Sequence, residues 1–158
     1  MSNDSAVREQ LVNTLIKRQA YMSFEDAVKE FPKEHINTKP TNVDYSFWHL
    51  LEHLRMTQWD ILDYIRNSDY QSKEWPAEYW PASDAETNGD GWQSTIKQFQ
   101  DDRQALVDIV KDPATDLYAQ IPHGMGGHNI MREICVVSAH NAYHIGEFGI
   151  LRQVMQLW

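Results

Sequence analysis

The chain has 158 residues, 42% of them hydrophobic and 23% charged, a balance that excludes a disordered polypeptide and suits one globular domain spanning 1–158. Fourteen Lys and Arg against 23 Asp and Glu leave a formal charge of −9, the wrong sign for gripping a phosphate backbone, so nucleic acid is not an expected partner. The longest uninterrupted apolar run is Ile134–Val137, and the opening MSNDSAVREQ has neither a basic nor an apolar signal region, so no membrane partner and a cytoplasmic location are expected.

In chain order, the first helical pattern runs from about Ser5 to Ala20, carried by Val7, Leu11, Leu15 and Ile16 at i, i+4 type spacing. Ser23-Phe-Glu-Asp26 resembles a capping box and opens a short helix that Phe31-Pro32 closes. The second long helix spans about Tyr45 to Arg66, with Phe47, Leu50, Leu51, Leu54, Ile61, Leu62 and Ile65 on one side and Asp44 placed to cap. Between Asn67 and Gly91 two prolines and two glycines, with several Asp, Ser and Asn residues, predict a long surface connection. A third helix covers Trp92 to Lys111 and ends at Asp112-Pro113. Ala114 to His128 reads as loop, and a fourth helix runs from Asn129 almost to Trp158. Four long helices without strand alternation predict an all-α fold, an antiparallel four-helix bundle.

Cys135 is the only cysteine, which excludes an internal disulfide and a thiolate zinc cluster. Any metal must be held by His and carboxylate, and Cys135 itself, among apolar neighbours, reads as a structural thiol.

His140 and His144 lie four residues apart, about 40° apart around the helix, on the face that also carries Ile130, Val137, Phe148, Leu151 and Met155. Two imidazoles on an inward face are either hydrogen-bonded core residues or two nitrogens for one cation. On the second helix His53 borders the apolar face near Thr57 and Tyr64, while His49 turns toward the polar side and is expected in solvent. One inward ring from this helix and two from the fourth make three nitrogen donors, with a position left for water or substrate. HLLEH lacks the glutamate placement of HExxH, so a zincin is excluded.

WHLLEHLRMTQWDILDYIRN, EWPAEYWP and MREICVVSAHNAYHIGEFGILRQ together resemble the DinB/YfiT-like superfamily, the damage-inducible, metal-dependent hydrolase group of bacterial four-helix bundles, from about Leu11 onward. The resemblance implies a divalent metal, zinc or nickel, on His53, His140 and His144. Glu147 stands where relatives commonly carry glutamine, and Gly127-His128 replace another polar pair. The resemblance further implies hydrolysis, or transfer of a low-molecular-weight thiol such as bacillithiol or mycothiol to a small electrophilic substrate, and a homodimer.

Glu147, one turn beyond His144, is the candidate catalytic residue, as general base or as the group that orients an imidazole; its alternative is an ordinary ion-paired glutamate. Glu133 is a second candidate of the same kind. Trp75, Tyr79 and Trp80 are expected over the pocket mouth, with or without a ligand beneath. His123 and His128 are expected at the surface. Ala139, Ala142, Gly146 and Gly149 form a strip that admits a neighbouring helix of the bundle or of a second subunit. Three functional classes follow: a metalloenzyme, a non-catalytic metal- or ligand-binding stress protein, and a metal-free bundle with core histidines.

Overall fold

A computed structural model describes residues 3–158; residues 1 and 2, the start of the expected domain span, lie outside the described residues. It contains the helices α1 (Asn3–Ile16), α2 (Phe24–Val28), α3 (Phe47–Arg66), α4 (Gly89–Lys111) and α5 (Ile130–Val154). Short 3₁₀ turns occupy Lys33–His35 and Ala77–Tyr79, and no strand is present among the described residues.

Side-chain caps set most of the boundaries. Ser23 accepts a bond from the Asp26 N–H and starts α2 as expected. α3 starts later than the sequence suggested, because Ser46 accepts from the His49 N–H while the His49 ring accepts from the Ser46 N–H. That is a capping box with imidazole in the place of glutamate. Asn88 caps α4 and Asn129 caps α5. Arg8 of α1 donates to the carbonyls of Val110, Asp112 and Thr115 and so satisfies the C-terminal end of α4.

α3 packs on both α4 and α5, and α1 packs on the same two helices. Phe47 meets Phe148 and Thr57 meets His140, so α3 and α5 are antiparallel. α1 and α4 also run in opposite directions, since Arg8 reaches Val110 whereas Thr14 shares a narrow cleft with Phe99. α3 and α4, in contrast, run the same way: Glu52 meets Thr95, and Gln58 meets the Phe99 carbonyl. The parallel pair exists because residues 67–88 form a strap that returns along α3 before α4 begins, a long crossover within a bundle.

The core divides into two apolar clusters. One gathers Phe24, Phe31, Phe47, Trp92, Phe99 and Phe148; the other gathers Leu11, Leu15, Leu62, Leu106, Val110 and Ile134. Between them a polar chain crosses the bundle: Asn141 donates to Gln58, which donates to the Phe99 carbonyl. Phe148 sits amid rings of Phe47 and Phe31 at centroid distances of 5.2 and 5.5 Å. Phe148→Ala is expected to cost about 3–5 kcal/mol, the range for removing a buried aromatic side chain, read as a lower urea midpoint with an unchanged slope.

Candidate metal centre

α3 is buried on two faces. Its apolar face enters the bundle, and a second stripe, His49, His53, Thr57, Asp60 and Tyr64, is buried as well. The intervals of four, four, three and four keep these residues on one side of the helix. Against this stripe lies the strap, whose Tyr70, Tyr79 and Ala85 meet Asp60, His53 and His49 in turn.

The structure brings His53, His140 and His144 together, with one donor atom from each within 4.8 Å of the others. Nε2 of His53 lies 3.3 Å from Nε2 of His144 and 3.2 Å from Nε2 of His140. Nitrogens held at 2.0–2.1 Å by one tetrahedral ion stand about 3.3–3.4 Å apart, so the spacing fits a shared cation.

Tautomers decide what these nitrogens present. His53 Nδ1 donates to the Tyr79 carbonyl at 2.7 Å, and His144 Nδ1 donates to Glu147 Oε2 at 2.7 Å. Thr57 Oγ1 gives its own proton to the carbonyls of His53 and Leu54, leaving a lone pair for His140 Nδ1–H at 3.3 Å. His53 and His144 therefore carry the proton on Nδ1, and with His140 in the same tautomer three Nε2 lone pairs face one point. Without a positive charge such an arrangement is repulsive; with a divalent ion it is a ligand set whose outer nitrogens are already anchored.

Burial reinforces this. Desolvation pushes His53 down to about 4 despite the opposing Tyr79 carbonyl, and His140 is pushed down to about 4 by burial and by its neighbours His144 and His53. Glu147 would be raised by burial, but bonds from His144 and Tyr45 outweigh it and hold the carboxyl below its ordinary range. Tyr45, which donates to Glu147 Oε1, is raised by burial and by that carboxylate. Trp80 lies flat on the His53 ring, 3.9 Å between centroids and 5° between planes, so the aromatic segment does cover the centre. Beside Glu147 an apolar cleft of about 360 Å³ opens between Tyr143, Gly146, Ile150 and Leu151.

Other expectations are corrected. His49 is 3% exposed instead of facing solvent. Its Nε2–H donates to the Ala85 carbonyl at 2.9 Å and its Nδ1 accepts from Ser46 at 3.1 Å, so both nitrogens are engaged and neither can serve a metal. Cys135 is exposed, not structural; its side of α5 faces away from the bundle. Glu133 pairs with Arg132 and lies 3.4 Å from His128, outside the imidazole cluster. His123 and His128 are partly buried around Tyr64, its carbonyl and hydroxyl respectively, and neither joins the cluster. Of the two glycines in the small-residue strip, Gly149 is closely approached by Met22, whereas Gly146 has open space where a side chain would stand. Thr57, Tyr45 and Asp60 escaped the sequence reading; the polar stripe on α3 was their visible signal, apart from Tyr45, while the Tyr79 carbonyl left none.

An all-helical bundle whose two central antiparallel helices present three imidazoles to one point defines a class of candidate metal-binding helical proteins. A sequence model of the DinB superfamily matches residues 18–148, and the chain belongs to that superfamily. No curated protein and no solved structure matches it.

The low values at His53 and His140 have a signed consequence for the metal-free protein. In the unfolded chain both imidazoles titrate near 6.5, so as the pH falls from about 6.5 to about 4 the unfolded state takes up protons first and the fold loses stability. The contribution of these two histidines is expected to reach a few kcal/mol and to level off below about pH 4, where protonation of carboxylates such as Glu147 takes over the acid dependence. Urea unfolding at successive pH values checks it, and in the double variant His53→Ala/His140→Ala the slope over this window should flatten.

Proposed function

We propose that the protein is a divalent-metal-binding metalloenzyme that acts on a small electrophilic substrate, by hydrolysis or by transfer of a low-molecular-weight thiol, at an open three-histidine centre. The observation that carries this reading is the convergence of three Nε2 atoms from rings whose Nδ1 atoms all have outer hydrogen-bond partners. His53, His140 and His144 are the ligands, and zinc or nickel the metal; three imidazoles suit either. The bound ion supplies Lewis acidity that lowers the pKa of a water or thiol near it.

The chain's own contribution is orientation. Tyr79 and Thr57 hold the rings of His53 and His140, and Glu147 holds the Nδ1 proton of His144. With one carboxylate oxygen on His144 and the other on Tyr45, Glu147 serves as a positioning residue that raises the donor strength of His144. The apolar cleft beside it offers space for a substrate. No helix among the described residues is long and apolar enough to cross a membrane; a cytoplasmic location is part of the proposal.

Elemental analysis of untagged protein purified without added metal should find about one divalent ion per chain. His53→Ala, His140→Ala and His144→Ala should abolish it, His49→Ala should largely retain it, and Glu147→Ala, which removes the acceptor of the His144 Nδ1 proton, should weaken binding about 10–100-fold. Metal-dependent turnover of an electrophile panel with water, bacillithiol or mycothiol is the companion measurement. A metal-loaded protein inert across the panel would favour the non-catalytic binding reading instead.

A homodimer completes the proposal. Val136, Tyr143, Ile150 and Val154 are exposed along the outer side of α5, at intervals of seven, seven and four, as a helix-pairing stripe requires. Pairing there would roof the cleft beside Glu147. Light scattering should give twice the chain mass, and Ile150→Glu should give the monomer with its metal retained.

A further inference from the structure

Asp60 is a carboxylate that nothing in the proposed chemistry uses, yet it is 7% exposed. No cation lies within ion-pairing distance of it among the described residues; Lys73 sits instead over the rings of Trp59 and Tyr79. Two phenols satisfy it: Tyr70 Oη donates to its oxygens at 3.1 and 3.2 Å, and Tyr79 Oη donates to Oδ2 at 2.9 Å. Burying an acid at such a place is costly, and a structural strap has cheaper apolar anchors available.

What distinguishes this anchor is where the other end of Tyr79 goes. Its hydroxyl is bound to Asp60, and its own carbonyl accepts the Nδ1–H of His53 at 2.7 Å. His53 and Asp60 are seven residues apart, about 10 Å along the axis of α3, so one tyrosine spans two turns of the helix as a strut. Trp80, the next residue, lies flat on His53. The far end of the strap is held separately, where Asn37 donates to the Thr87 carbonyl at 2.8 Å and accepts from its N–H at 3.1 Å.

We infer that Asp60 is a positioning residue for the metal centre: through the Tyr79 strut it holds a carbonyl on His53 Nδ1 and an indole on the His53 ring, and thereby keeps the Nε2 lone pair aimed at the ion. The inference rests on the reading of His53 as a ligand. It gives a third layer to the centre, since the group that orients His53 is itself oriented by a carboxylate on the same helix.

The test compares Asp60→Ala and Tyr79→Phe with Asn37→Ala, which loosens the strap without touching the strut. Zinc affinity, by chelator competition, should fall about tenfold or more in the first two, the scale of losing an outer partner of a metal ligand, and stay near wild type in Asn37→Ala. In the metal-free protein, ¹⁵N NMR should show the His53 Nδ1–H signal intact in wild type and Asn37→Ala, and lost or split between tautomers in Asp60→Ala and Tyr79→Phe. Tyr79→Phe removes one hydroxyl from a folded chain, so the test survives if Asp60→Ala does not fold. Unchanged zinc affinity and an unchanged His53 tautomer in Tyr79→Phe, whatever its melting temperature, would overturn the inference. If wild type takes up no zinc, the ligand reading fails, while the NMR comparison on metal-free protein still decides the strut.

Discussion

Three imidazole Nε2 atoms are brought to one point from two helices, an arrangement that becomes repulsive whenever all three are unprotonated and that the bundle nevertheless holds in place. Their outer nitrogens are tied to a backbone carbonyl, a hydroxyl and a carboxylate, and burial keeps His53 and His140 from relieving the repulsion by taking up protons near neutral pH. The other polar groups around the centre follow from that constraint. Each imidazole needs an acceptor on its far side, and each acceptor needs something to hold it.

The crossover between α3 and α4 answers that need. Returning along α3, it forces α3 and α4 to run in parallel, and it lays Tyr70, Tyr79, Trp80 and Ala85 over the polar stripe of α3. The topology and the site therefore share one cause. A short hairpin between these helices would have made them antiparallel and left His49, Asp60 and the strap side of the His53 ring facing water. Polar side chains on the side of a helix turned away from its apolar face are ordinarily solvated; here they are buried because a second layer of chain covers them and supplies partners to His49, His53 and Asp60.

His49 and His53 show how near two histidines one turn apart can be in pattern and how far in role. The ring of His49 spends Nδ1 on the cap of its own helix and Nε2 on the strap. His53 spends only Nδ1, which leaves Nε2 for the centre. Glu147 follows the same logic, with both oxygens committed to groups around the centre.

The helical repeat of apolar residues, the cap at Ser23, the start of the last helix at Asn129 and the break after Arg66 are properties of adjacent residues, so the all-α bundle was legible from the chain alone, although α3 is capped by Ser46 and not by Asp44. So was the pairing of His140 with His144, because a spacing of four fixes a common face on any helix. Which polar side of α3 is buried was not legible, and neither were the burial of His49, the exposure of Cys135 or the strut from Asp60 to His53. Those depend on where residues 67–88 come to rest and on which end of Tyr79 meets which partner. A backbone carbonyl looks the same at every position in a sequence, and only the folded chain decides which one stands behind the His53 ring.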